Sequence, residues 1–287
     1  MAGKVYLRSL NLVSSGQDMQ FMLGQKLTCY NSIYPFKLFP EKGLSRLELE
    51  PVTILYGGNG SGKTTLRNII AEKAKLTRHS AFSGSAFFSD YVSMCSMDAG
   101  RIPLESQILT SDDVTDYLLD MRHINDGIDA KRSELLDEFT DRKYKELRFT
   151  SLDDYDEWKE GYEAKRQTKS RFVNERLMHN VDMFSNGEKA MKYYTDRIKE
   201  DALYLIDEPE NSLSAKFQMD LMEYIAIAAR YDGCQFVIST HSPFLLSLPG
   251  AKIYDLDSHP VQVKKWTELE NVRIYFDFFQ KHLNEFK

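Results

Sequence analysis

The sequence predicts an α/β fold: a mainly parallel sheet with flanking helices, an antiparallel β portion at the N-terminus and an inserted helical subdomain. Three observations predict it. VTILYG (52–57), ALYLI (202–206) and CQFVIST (234–240) are short apolar runs, the pattern of strands buried on both faces. They alternate with segments of helical period, KTTLRNIIAEKAK (63–75) and SAKFQMDLMEYIAIAAR (214–230), and such alternation builds parallel sheets. Between these blocks the character changes to dense mixed charge with apolar residues at helical spacing. The expected division is therefore 1–110 and 184–287 as the core, with 111–183 as a helical arm or lid.

Taken in order, residues 1–56 read as strands and turns: KVYLRSLNL (4–12), MQFMLGQKLTCY (19–30) and LSRLELEPVTILYG (44–57). Pro51 and Gly57 bound the VTILY strand. A helix follows over 63–75. A further strand is expected near FFSDYVSMC (87–95), then the helices of 111–183, a helix over 188–200, the strand ALYLI, the amphipathic helix 214–230 and the strand CQFVIST.

The chain has 287 residues, 42% of them hydrophobic, enough for one large domain carrying an insertion. The formal net charge of −6 argues against whole-surface capture of nucleic acid, though a local basic patch would still serve. KRQTKSRFVNER (165–176) is the clearly basic segment. It reads either as a phosphate contact or as the ionic partner of the acids at 153–163. Cys29, Cys95 and Cys234 have no metal-ligand spacing and suit a reducing cytosol. With no apolar leader and no 18-residue apolar run, a cytoplasmic protein without membrane insertion is expected.

GGNGSGKTT (57–65) follows an apolar strand and opens a helix. Gly57, Gly58, Asn59, Gly60, Ser61, Gly62, Lys63, Thr64 and Thr65 match the G-x-x-x-x-G-K-[ST] loop. Glycines let the backbone wrap a phosphate, and the helix N-terminus adds positive potential. Lys63 would reach the β- and γ-phosphates of ATP, and Thr64 would offer its hydroxyl to Mg²⁺. Such a site needs a second carboxylate at the end of a neighbouring strand. LYLIDEPE supplies it: Asp207 for the metal and Glu208, pointing elsewhere, as general base toward water. Beyond these acids no metal-binding cluster stands out, so no nuclease centre is expected within the chain.

With these motifs placed, the sequence resembles the ABC-class P-loop ATPases. FSNGEK looks like the family signature, at Ser185, Asn186, Gly187 and Glu188. The resemblance implies that this motif caps the γ-phosphate of ATP held by a second subunit, so that a homodimer forms around two ATPs. It also implies a coupling loop at Ser212, Leu213 and Ser214, a switch histidine at His241 in VISTHSPF, and a Mg²⁺-contacting glutamine, for which Gln107 is the candidate. The adenine platform would come from Tyr34, Phe36 or Phe39. Phe184, Asn186 and Glu188 depart from the commonest Leu-Ser-Gly-Gly-Gln form of the signature.

DEPENSLS and ISTHSPFLL resemble the non-transporter branch, the SMC-like and overcoming-lysogenization-defect-type "AAA family" ATPases of bacteria. What this implies is a free-standing ATPase that drives or gates an effector protein or a nucleic-acid transaction, in DNA maintenance or anti-phage defence. Two alternatives stand beside it: the ATPase subunit of an ABC transporter, and an ATP sensor with little turnover.

Overall fold

The computed structural model describes residues 3–25, 30, 32–82, 84–144, 159, 162, 166, 168–180 and 184–286. Along the chain, β1 (Leu7–Asn11) leads to α1 (Ser15–Gly24), the one-turn α2 (Leu38–Glu41), β2 (Arg46–Glu48), β3 (Val52–Tyr56) and α3 (Lys63–Ala74). Then come α4 (Phe88–Met94), β4 (Ser96–Ala99), β5 (Gln107–Thr110), α5 (Ser111–Tyr144) and α6 (Lys169–Asn174). The remainder is α7 (Asn186–Arg197), β6 (Leu203–Asp207), a 3-10 turn at Pro209–Ser212, α8 (Ala215–Tyr231), β7 (Gln235–Ser239), α9 (Pro243–Leu246), β8 (Lys252–Asp255), β9 (Gln262–Lys264) and α10 (Glu270–Lys281).

The chain divides into two compact units, 1–115 with 186–287, and 116–185, where the sequence reading put the insertion at 111–183. In the first unit, six strands run in the order β5-β6-β7-β3-β8-β9. All neighbours pair parallel except β9, which joins antiparallel at the edge. Every residue of β3 and β7 is buried, which is why those segments read as unbroken apolar runs. Leu66, Ile69 and Ile70 of α3 join Leu55, Leu205 and Val237 of the sheet in one core. The register levels the strand ends: Leu55 and Asp207 both lie opposite Ser239 of the intervening strand.

A second, three-stranded antiparallel sheet has the order β2-β1-β4. Buried Gln235 ties it to the first sheet. Its Oε1 accepts from the amides of Tyr6 and Leu7, and its Nε2 donates to the Leu7 carbonyl. With a second Nε2 bond to the Glu50 carbonyl at 3.2 Å, the amide makes four hydrogen bonds, which removes the cost of burying it.

Two expected strands are helices. MQFMLGQKLTCY opens inside α1, because Ser14 and Gln17 form a capping box that starts a helix, and Phe21 stacks on Phe36 at 4.3 Å; residues 26–29 of that segment, Cys29 among them, lie outside the described residues. FFSDYVSMC is α4, whose buried Phe88 and Tyr91 are three residues apart, a helical rather than a strand spacing. The strand begins only after Cys95. Cys95 and Cys234 are separate buried thiols, and burial pushes each up to about 11.

The second unit has its own small core of Leu135, Phe139, Phe172 and Val173. In the basic segment Arg171 pairs with Glu175 at 2.8 Å and Arg176 lies over the Phe172 ring. The acids at 153–163 proposed as partners lie outside the described residues. Among the described residues no helix is long and apolar enough to cross a membrane.

Candidate functional site

The β3–α3 connection is the glycine loop. Gly62 stands at the N-terminus of α3 with φ 101°, a left-handed conformation that glycine adopts without strain. A cavity of about 230 Å³ over the loop is lined by Tyr34, Leu38, residues 58–65 and Glu208. Thr64 is exposed toward solvent, while Ser61 is buried and its Oγ has no hydrogen-bond partner. That orphaned hydroxyl, in a backbone cradle with the helix N-terminus behind it, fits a phosphate.

Lys63 is buried, and its Nζ donates to the carbonyls of Gly57 at 2.5 Å and Gly58 at 3.2 Å. The same Nζ lies 2.8 Å from His241 Nε2 and 3.6 Å from Glu208 Oε1. Burial lowers the Lys63 pKa, and the Glu208 carboxylate opposes that shift. The loop thus already holds its cation among acceptors. Another anion touches the loop as well: the Asp257 carboxylate accepts from the Gly58 amide at 2.6 Å.

The ends of β3, β7 and β6 lie side by side, so the glycine loop, His241 and the acid pair converge. Asp207 closes β6 and pairs with Arg67. Glu208 then turns into the left-handed region, φ 43° and ψ 53°, with its amide donating to the Ser239 carbonyl at 2.8 Å. A non-glycine residue costs about 1–2 kcal/mol there. The turn separates the two carboxylates: Asp207 meets Arg67 one turn into α3, while Glu208 lies 3.6 Å from both Lys63, at the start of that helix, and His241. The Thr64 hydroxyl and the Asp207 carboxylate are hard oxygen donors of the kind that hold Mg²⁺ together with substrate phosphates.

Of the signature residues, Asn186, Gly187 and Glu188 open α7, with Ser185 just before it. Phe184, Ser185, Asn186 and Glu188 are all exposed. Gly187 has an additional reason to be glycine: a Cβ there would meet the Phe217 ring at 2.8 Å. Of the coupling-loop candidates Leu213 is buried, Ser212 ends the 3-10 turn, and Ser214 precedes α8.

Gln107 is a correction. It is the first residue of β5 and lies opposite Tyr204, whereas Thr110, at the far end of that strand, is the residue opposite Asp207. Its Nε2 donates to the Arg197 carbonyl at 3.0 Å. The side chain therefore closes the end of α7 rather than reaching the end of the sheet that carries Asp207. Gln107→Ala should leave the Mg²⁺ dependence of nucleotide binding unchanged and cost about 1 kcal/mol in denaturant unfolding. Among the aromatic candidates, Phe36 and Phe39 are buried in the core, while Tyr34 is 42% exposed and lines the loop cavity. Tyr34 also contacts Thr65 through its hydroxyl.

Three residues escaped the sequence reading. Glu210, the third acid of DEPE, accepts from the Thr240 hydroxyl at 2.9 Å and the His241 amide at 2.5 Å, fixing the loop that carries His241. Asn271 donates to the His241 carbonyl at 2.8 Å from the other side. Arg67 sits on the buried face of α3, where burial and nearby Arg78 push its guanidinium down to about 10. A charge on an otherwise apolar stripe, Leu66, Arg67 and Ile70, was the legible signal.

Residues 182–247 match the family model described as "AAA domain, putative AbiEii toxin, Type IV TA system". That stretch contains α7, β6 with its acids, α8, β7 and His241. A comparison with curated proteins finds no match. Among solved structures, the SMC head domain from Thermotoga maritima is 13% identical, with 91% of this chain and 98% of that chain covered at a TM-score of 0.41. An SMC head domain from Pyrococcus furiosus, with an extended coiled coil and bound to the C-terminal domain of ScpA, is 13% identical over 82% and 94%, at 0.39. A dimeric ATP-binding cassette in a post-hydrolysis state bound to ADP and Pi is 15% identical over 78% and 90%, at 0.36. Likenesses at that level carry no assignment. The glycine loop, the acid-ended strand beyond one intervening strand and the mainly parallel sheet are the arrangement that the sequence motifs predict.

Proposed function

We propose that the chain binds Mg²⁺·ATP over residues 57–65 and hydrolyses it, and that two copies close head-to-tail around two nucleotides. The observation that carries this is the convergence of Lys63, Asp207, Glu208 and His241 at the ends of three adjacent strands. On this reading the loop amides and Lys63 hold the phosphates. Thr64 and Asp207 would hold Mg²⁺, which draws charge off the phosphate oxygens. Glu208 takes the proton of the attacking water, and His241, braced by Glu210 and Asn271, faces the terminal phosphate. Arrival of the phosphates would give Lys63 a stronger partner than the carbonyls and carboxylate it now contacts.

Ser185, Asn186, Gly187 and Glu188 are exposed or half-exposed at a helix N-terminus, and we assign them to the second copy's ATP. The output would be a change imposed on an effector protein or on nucleic acid. The description of the family matched by residues 182–247 favours a toxin or defence setting over transport.

The test is phosphate release with and without Mg²⁺, alongside light scattering with ATP. Ser185→Arg separates the two halves of the proposal. It should cut hydrolysis at least about tenfold by blocking closure, while the isolated subunit's ATP affinity changes less than about twofold. Loss of binding instead would mean that Ser185 serves its own loop.

A further inference from the structure

The glycine loop and the acid pair sit on different strands, so something must set the distance between Thr64 and Asp207. Both would hold the same ion, and Mg²⁺ tolerates little departure from its octahedral geometry. Arg67 stands one helical turn after Thr64 on α3. Its side chain is 6% exposed and ion-paired through Nη1 to Asp207 Oδ2. The guanidinium has nowhere to go. Nη2 donates to Asn68 Oδ1 at 3.3 Å, and Arg78 donates to the same oxygen at 2.9 Å. Nε and Nη1 are both buried with no hydrogen-bond partner, so Nη1 meets Asp207 by charge alone.

An incompletely satisfied buried guanidinium is expensive unless its charge is needed where it lies. A solvated lysine or a leucine at this position would satisfy the helix pattern better. Besides the Asn68 side-chain oxygen, what Arg67 gains from burial is Asp207, the carboxylate that closes β6.

We propose that Arg67 is the positioning residue of the Mg²⁺ site, holding Asp207 by Oδ2 so that Oδ1 points to the ion that Thr64 also meets. This rests on the Mg²⁺·ATP reading above. One rigid helix then carries the metal-binding hydroxyl of Thr64 and, one turn on, the brace of the opposing carboxylate. A partner that orients a metal-ligating side chain changes metal affinity by about 10–100-fold when removed. The positive charge beside the ion is tolerable because Mg²⁺ arrives with a tetra-anionic nucleotide.

The experiment is titration of Mg²⁺ into protein with a fluorescent, non-hydrolysed ATP analogue, started in EDTA. Arg67→Met should bind the analogue without metal as the unsubstituted protein does, since the loop and Lys63 are untouched. Its Mg²⁺ midpoint should rise about 10-fold or more, and Arg67→Lys should recover part of that shift. Should the methionine variant fail to fold by circular dichroism, Arg67→Gln removes the charge while keeping a donor for Asn68, and the same rise is expected. An unchanged midpoint in a folded neutral variant would make Arg67 a purely structural ion pair and overturn the proposal. A lower midpoint would overturn it too, by making Arg67 a competitor of the ion. If the unsubstituted protein binds no analogue under either condition, the nucleotide reading itself fails, and the brace with it.

Discussion

Lys63→Ala weakens ATP binding by about 100-fold or more, to the point of no detectable complex at micromolar nucleotide. The magnitude follows from the contacts at stake. A hydrogen bond to a charged group is worth about 1.5–3 kcal/mol, and the ammonium would make such bonds to two phosphates. The alanine variant should still fold, because the buried ammonium now meets only loop carbonyls, His241 and the Glu208 carboxylate, and burial already disfavours its charged form. Isothermal calorimetry checks the affinity and circular dichroism checks the fold. Normal affinity in a folded Lys63→Ala protein would remove the phosphate role from residues 57–65 altogether.

Glu208→Gln separates binding from turnover. Removing a general base costs on the order of 10²–10⁴ in rate, so phosphate release should fall about 1000-fold while ATP affinity is kept. The substitution is close to neutral for the backbone. Glutamine and glutamate carry the same penalty in the left-handed conformation that residue 208 adopts, and an amide can still pair with the Asn211 side chain, now 3.2 Å from Oε2. With the base gone and nucleotide retained, the ATP-bound assembly accumulates, and light scattering should report a dimer that vanishes when Mg²⁺ is chelated. A variant that remains monomeric and turns over at the original rate would dismiss both the base and the two-copy arrangement.

The motif residues were readable in advance because their context was covalent: an apolar strand, a glycine loop and a helix in immediate succession, and a strand that runs straight into two acids. Such signals survive without tertiary information. Gln107 failed for the opposite reason. A lone glutamine near a strand carries no sign of which end of the sheet it will face, and the parallel register put it at the wrong one. Residues 15–24 and 88–94 misled through composition, although the Ser14–Gln17 box and the spacing of Phe88 and Tyr91 were present to be read. Glu210 and Asn271 were out of reach, since each acts on His241 from a position remote in sequence or obscured by neighbouring acids.

The contact of Gly187 with Phe217 has a mechanical side. Phe217 adjoins Gln218, whose amide holds the Leu213 carbonyl at 2.7 Å and accepts the Ser242 hydroxyl at 2.7 Å. The exposed tip of α7, the turn before α8 and the residue after His241 are thus bolted to one two-residue bracket. A side chain added at position 187 would have to displace the Phe217 ring, and through this bracket the strain would reach the loop that carries His241.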